Sequence, residues 1–562
     1  MNSYAIMHVL DSSYAFPVSE NVICVRLRTA KNDVKSVWVL YESKYRIAKK
    51  HKKAKMVRTL SGSEFDYYSI YLTLEDTRFA YVFYIYDGKE YKYFSEDGLT
   101  DTYDFSQGYY NFFQFADIHP ADIHRMVPWM ADACFYQIFP ERFRIGNTKK
   151  DMSYIDLKWG DKPNPRSFAG GDLKGITQKL DYIKGLGCNA LYLTPIFESP
   201  SNHKYDIIDY MKVDEHFGTA DDLRELVKKA HKKGIRVILD AVFNHCSDKS
   251  AYFRDVCKKG RKSPYYEQFM IHGDKVSLNP RNYEVFADCV EMPRWNSSNR
   301  AAQEFLISVA VHYIKEFDID GWRLDVSDEV SHDFWRRFRE AVKSAKPDAV
   351  IIGENWHDAS SYLRGDQYDG IMNYAFTKAC LDYFAAGKYD AKQAAERLND
   401  VLARNTDTVN DMMLNLLDCH DTVRFLTGVK EDRDALNAAL CLLYLFPGAP
   451  SVFYGTEVYT TGQHDPDCRR CMDWSKAGTE AAEPVTGLIR TLADIRKKYR
   501  LTSSGTRIGA SDDGRLLCLE RTGEDYRILL YINRTDKTGK QGRISVQAGK
   551  YTLIVNSERV KI

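Results

Sequence analysis

At 562 residues the chain exceeds one ordinary domain, and 44% hydrophobic residues argue for sizeable packed cores and against disorder. Its 79 basic and 78 acidic residues leave a formal charge of +1 and no long basic tract, which excludes nucleic acid as an evident partner. No apolar run is long enough to cross a membrane, Met1-Asn2-Ser3-Tyr4 does not open a signal peptide, and the 12 cysteines are scattered. The expectation is a reduced, cytoplasmic protein with no membrane association.

Residues 1–122 read as an all-β sandwich. Val22–Arg28, Ser36–Tyr41, Tyr67–Leu72 and Tyr81–Tyr86 are β-branched, aromatic or alternating, and Asp87-Gly88 turns the chain into Glu90–Phe94. From 123 to 498 the pattern becomes strand and helix in alternation. Eight short apolar runs predict strands at 135–139, 190–197, 236–243, 321–326, 349–356, 370–376, 412–419 and 449–454. Segments such as 221–233 and 301–316 carry apolar residues at helical spacing. Eight such units predict a (β/α)₈ TIM barrel. The connection from about 246 to 299 is long and aromatic, which predicts a small inserted domain. Residues 499–562 return to β pattern, a small C-terminal sandwich.

The chemistry gathers at predicted strand ends. Gly321-Trp322-Arg323-Leu324-Asp325 places Arg323 and Asp325 two apart, on the same face of a strand. An arginine beside Asp325 favours its ionised form, as a nucleophile requires. Glu354 closes the next apolar run beside Gly353 and Trp356, where a drier setting would keep it protonated for acid catalysis. Asp421 follows His420 at the end of a third run and could stabilise positive charge on a sugar ring. Any one of these acids reads equally well as a helix cap or a solvated loop charge. Three together at successive strand ends predict one pocket at one rim of the barrel. Two carboxyl groups flanking one carbon are what retaining glycoside hydrolysis needs.

Asp240-Ala241-Val242-Phe243-Asn244-His245, Gly321–Asp325, Gly353-Glu354-Asn355-Trp356 and His420-Asp421 resemble, in order, the four signature segments of the α-amylase family of glycoside hydrolases. The resemblance implies Asp325 as nucleophile, Glu354 as acid/base and Asp421 as transition-state stabiliser. It places Asp240, His245, Arg323 and His420 on the non-reducing side of the scissile bond, capped by His203 and Tyr205. Met292-Pro293-Arg294-Trp295-Asn296 and Val326-Ser327-Asp328-Glu329 resemble segments of the neopullulanase, cyclomaltodextrinase and maltogenic amylase group, each with substitutions. So does Asp465-Pro466-Asp467-Cys468-Arg469-Arg470, though Cys471 stands where proline is usual. This implies substrate binding by Asp465 and Arg469, with Phe286, Trp356 and Tyr374 near the aglycone; each aromatic alone reads equally as core.

No cofactor is required by this chemistry. Related enzymes hold calcium in the segment after the first strand, which implies a structural calcium at Asn147, Asp151 and Asp172, although Ile145 and Lys150 stand where ligands are usual. The group's N-terminal sandwich implies a homodimer. The resulting expectation is a retaining hydrolase of α-1,4 bonds in cyclomaltodextrins, pullulan and maltodextrins. The alternatives are a transglycosylating enzyme on the same scaffold, or a glucan-binding protein without catalysis, which the presence of all three acids disfavours.

Overall fold

The computed structural model describes residues 1–503 and 505–560, which fall into two compact units. The first to consider comprises 127–386 and 412–502 and is built on eight parallel strands. They are β1 (Phe135–Ile138), β2 (Ala190–Leu193), β3 (Arg236–Ala241), β4 (Gly321–Leu324), β5 (Val350–Gly353), β6 (Gly370–Ile371), β7 (Leu414–Leu416) and β8 (Ala449–Phe453). Neighbours run β6-β5-β4-β3-β2-β1-β8-β7, and a parallel bridge between Met372 and Leu414 joins the two ends into a closed barrel. Most of these strands are buried along their whole length, so they read as continuous apolar runs rather than alternating ones.

The strands are shorter than the sequence predicts, and the reason lies at the functional rim. β3 stops at Ala241, β4 at Leu324 and β5 at Gly353. The residues beyond leave the ladder: Val326 turns into the left-handed region at φ 45°, which a β-branched side chain rarely adopts. The run expected over 370–376 is a strand only through Ile371, because Asn373 caps a helix over Tyr374–Cys380 by accepting from the Phe376 N–H. Met412, expected to open the seventh strand, ends the helix Asp407–Met412 instead. Register is fixed where it matters. Asp240 lies directly across from Arg323, and Leu324 from Gly353. A Cβ on Gly353 would lie 2.7 Å from the Tyr368 ring and 2.9 Å from Ser327 Oγ, so glycine is needed just before Glu354.

Helices follow the strands. α1 (Leu173–Gln178) is capped by Asp172 and α2 (Ala220–Lys232) by a Thr219–Asp222 capping box. α3 (Arg300–Phe317) and α4 (His332–Ala345) bury their apolar faces. The long connection between β3 and α3 holds one helix, Ala251–Lys259, two short turns and scattered bridges. Its own core is aromatic: Phe269 stacks on Trp295 at 4.5 Å, and Phe253 lies 5.1 Å from both Phe269 and Tyr283. Trp295 Nε1 donates to Tyr210 Oη, whose hydroxyl donates to the carbonyls of Val242 and His245 just beyond β3.

The second unit comprises 1–126, 387–411 and 503–559. Its N-terminal part is a nine-stranded antiparallel arrangement whose core includes Ile23, Val25, Leu27, Val39, Tyr81 and Phe83. Its C-terminal part has a five-stranded antiparallel sheet and a two-stranded one. The sequence reading gave 123–498 wholly to the barrel, whereas the segment 387–411 belongs compactly with the terminal sheets. Asn399, in the helix Ala391–Ala403, donates to the carbonyls of Ser61 and Ile508 at 3.0 and 3.2 Å, and Arg26 donates to Ala403 O and to Asp407. Such ties join residues hundreds of positions apart, so a one-dimensional pattern does not carry them.

Trp295→Ala is expected to destabilise the inserted segment by about 3–5 kcal/mol through the cavity it leaves. The measurement is a urea midpoint combined with limited proteolysis. An unchanged midpoint and no new cleavage within 246–299 would show that the ring is not what holds this segment.

Candidate active site

One guanidinium organises the pocket. Arg323, fully buried on β4, contacts both oxygens of Asp240 at 2.8 and 2.9 Å and Asp325 Oδ1 at 2.7 Å, all through Nη1, while Nη2 lies 2.9 Å from Glu354 Oε2. The cross-strand register explains the first contact and the two-residue spacing the second. Glu354 Oε2 also accepts the N–H of Val326, the residue with the strained backbone, and Ser327 Oγ donates to the Glu354 carbonyl at 2.6 Å. One backbone donor and the Arg323 cation therefore hold Oε2. Oε1 meets only the Trp356 indole N–H, at 3.2 Å.

Three carboxyl groups around one cation cannot all ionise freely. Burial drives the Asp325 carboxyl well above the ordinary range; Arg323 pulls it down, and Glu354 and Asp240 push it up again. Burial likewise raises Asp240 to about 6, against Arg323 and a 2.7 Å hydrogen bond from the Tyr192 hydroxyl. The cluster thus retains a proton at a pH where isolated carboxylates would have lost theirs.

A second network lies on the side of β7 and β8. Gln137 on β1 contacts His420 Nδ1 at 2.8 Å through its amide nitrogen. With the amide donating, the imidazole proton sits on Nε2, facing Tyr205 Oη at 2.5 Å and Asp421 Oδ2 at 3.1 Å. The Tyr205 hydroxyl is then free to donate to Asp240 Oδ2 at 3.0 Å. Arg469 holds the His420 carbonyl at 2.7 Å, Asp421 Oδ1 at 3.1 Å and Asp465 Oδ1 at 2.9 Å. Burial lowers His420 well below its usual value, His203 to about 4 and His245 to about 3, so these imidazoles are neutral near pH 7.

Aromatic faces complete the walls. Trp356 stacks on Tyr374 at 3.7 Å and remains 52% exposed, an apolar plate beside Glu354. Tyr205 stacks on His420, and His203 lies against Tyr205 at 5.9 Å. His245 and Phe286 form a separate stacked pair, 4.8 Å apart. The structure therefore connects twelve of the expected residues through hydrogen bonds, ion pairs and stacking, and His245 with Phe286 beyond the end of β3. It adds Tyr192, Gln137 and the backbone of Val326. A polar residue inside a buried apolar run, as Gln137 and Tyr192 are, is the signal that could have found the first two; the third is a backbone role with no signature.

The expected calcium ligands do not converge, and the residues present do not fit that ion. Asp172 accepts the N–H groups of Gly146, Asn147 and Gly175 and pairs with the Lys150 ammonium. The Asn147 side chain accepts from the Lys149 N–H, and Asp151 from the backbone and hydroxyl of Ser153. An ammonium stands among the oxygens that a divalent cation would need. Among the described residues, the cluster of potential metal ligands that does form is Cys419, His420 and Asp421, which belongs to the networks above.

Comparison with known proteins identifies the family. The catalytic domain of alpha amylase matches residues 137–500, and the alpha amylase N-terminal ig-like domain matches 1–119. A cyclomaltodextrinase from Thermoanaerobacter pseudethanolicus is 43% identical over 95% of this chain and 92% of its own length. An intracellular maltogenic amylase from Bacillus subtilis is 38% identical over 95% and 91%. A solved cyclomaltodextrinase structure superimposes with a TM-score of 0.90 at 35% identity, covering 96% of this chain and 92% of that one. The chain belongs to the α-amylase family of glycoside hydrolases.

Proposed function

We propose that this enzyme cleaves α-1,4-glucosidic bonds in cyclomaltodextrins, pullulan and short maltodextrins by double displacement with retention. The observation that carries the reading is the sharing of the Arg323 guanidinium by Asp325 and Glu354, beside the Trp356 and Tyr374 plate. Asp325 attacks the anomeric carbon while Glu354 delivers its proton to the departing oxygen. That proton rides on Oε1, because Val326 N–H and Arg323 occupy Oε2. The glycosyl ester on Asp325 is then released by water that Glu354, now a base, deprotonates. Asp421, held by Arg469 and His420, faces the positive charge that develops on the ring. Asp240, Tyr205, His203, His245 and His420 hold the non-reducing sugar, and Asp465 and Arg469 contribute from the loop after β8. The aromatic plate and Phe286 receive the aglycone.

The similarity to two cyclomaltodextrinases supports the substrate class, and that to the intracellular maltogenic amylase supports a cytoplasmic setting. Among the described residues no helix is long and apolar enough to cross a membrane. We also infer a homodimer through the N-terminal domain. The family resemblance supports it, as do the exposed tyrosines Tyr4, Tyr45 and Tyr91 in that domain.

Hydrolysis of β-cyclodextrin, pullulan and soluble starch, measured side by side, tests the substrate reading. Rapid ring opening with slow starch turnover is expected; fast starch turnover with inert cyclodextrin sinks it. Asp325→Asn should lower kcat by about 10⁴-fold or more, and Glu354→Gln by about 10²–10⁴-fold. Undiminished activity in Asp325→Asn overturns the mechanism.

The pH profile is set by the carboxyl cluster. Asp325 must be ionised to attack, and its proton affinity is raised, so kcat/KM should fall as pH drops through a value above the ordinary 3.8. Tyr192→Phe removes a hydrogen bond that favours ionised Asp240; the proton then settles more readily on Asp240 and its charge no longer raises Asp325, so the acid limb should move to lower pH. An acid limb that stays in place would show that Tyr192 does not tune the cluster. Light scattering after gel filtration at micromolar concentration should give twice the chain mass; monomer alone would rule out the homodimer.

A further inference from the structure

The loop after β1 and the first turn of α1 pack backbone against backbone. A Cβ on Gly146 would lie 2.1 Å from the Gly175 nitrogen, and one on Gly175 would lie 2.1 Å from the Arg144 carbonyl oxygen. Into this close approach comes the side chain of Lys150, nine-tenths buried. Its Nζ lies 2.7 Å from the Gly170 carbonyl oxygen, 2.7 Å from the His216 carbonyl oxygen and 3.2 Å from Asp172 Oδ2. An ammonium has three protons, and three oxygens meet them. The ammonium lies 5.7 Å from the centroid of the Tyr154 ring, which stacks on His216 at 3.8 Å.

We propose that the Lys150 ammonium is the structural cation of this chain, occupying the place where the same loop in related enzymes would hold calcium. One charge with three acceptors ties together three segments that have no shared strand: the loop 146–150, the turn 170–172 and the connection at 216. Asp172 is the pivot. It is buried, caps α1, accepts three backbone N–H groups and would stand as an uncompensated carboxylate without the lysine. A divalent ion with six to eight oxygens is replaced by a tethered monovalent one that needs three. The tether has a further consequence, since no ion can be lost by dilution.

The clamp reaches the sugar site through the connection at 216. Asp214, two residues before His216, pairs at 2.9 Å with the buried Lys204, which lies between His203 and Tyr205. Lys150 is thus a positioning residue for that pair and touches no substrate.

Calorimetry of the full chain tests the proposal, with calcium chloride and EDTA as probes. The native chain should melt at the same temperature in excess EDTA and in excess calcium, and should bind no calcium in an isothermal titration. Lys150→Met should melt lower by about 5 °C, with calcium unable to restore it. Its KM should rise more than its kcat falls. Lys150→Asn exchanges the ammonium for an oxygen ligand beside Asp172, Asn147 and Asp151; it should melt lower without calcium and recover with it. If Lys150→Met does not fold, the native and Lys150→Asn measurements still decide. A native chain that binds calcium and loses melting temperature in EDTA overturns the proposal. So does a Lys150→Asn chain that ignores calcium, or a Lys150→Met chain as stable as the native one.

Discussion

Arg323 carries one positive charge against three carboxyl groups inside a closed barrel, and the catalytic half of the molecule is arranged to make that tolerable. Burying a charge without partners is costly, and removing one member of a buried network leaves the others uncompensated. The register between β3 and β4 sets Asp240 opposite the guanidinium, and the two-residue pleat period sets Asp325 on the same face. Glu354 is brought in by β5, with Gly353 clearing room for Tyr368 and Ser327 behind it. Because charge in this cluster exceeds what one arginine can neutralise, a proton is retained among the carboxyl groups. A nucleophile and an acid within one coupled system follow from that shortage.

The barrel was legible because its signals are periodic or terminal. Apolar runs at β1, β3 and β5 stand out by length, and the acids that end them stand out against that background. Asp325, Glu354 and Asp421 were each visible as a charge closing a buried strand. The extent of the strands was less legible. Functional side chains at 325, 354 and 374 sit just past the strand ends, where geometry is set by contacts from other segments as well as by local propensity. Val326 illustrates this: nothing in a valine announces a left-handed backbone, and only the need to aim its N–H at Glu354 gives it a reason. Gln137 and Tyr192 were legible in principle, as polar groups in runs that are otherwise dry. The allegiance of 387–411 was not, because Asn399 and Arg26 reach across hundreds of residues to make it.

The expected carboxylates gather around one cation and the expected metal ligands do not gather, and the difference is chemical. Catalytic acids are recognised one by one, each with a role that its neighbours cannot supply. A metal site is a sum of oxygens, and a count of surviving ligand types says little about whether they still face one point. Asn147 and Asp151 survive as residue types but turn to their own backbone neighbours, which is what short polar side chains do when no ion organises them. Lysine at 150 is the informative residue, since it both removes a ligand and brings a charge.

That substitution bears on how the site is held. A bound ion adds stability in proportion to its free concentration and its affinity, so a metal-clamped loop varies with its surroundings. A covalently tethered ammonium contributes the same crosslink at a fixed effective concentration, at the cost of ordering one long side chain. Asp214 and Lys204 extend the same logic one step towards the sugar site: a second buried lysine meets a second buried acid, and His203 and Tyr205 flank it. In this rim the positions of neutral imidazoles and hydroxyls are fixed by buried charges beside them.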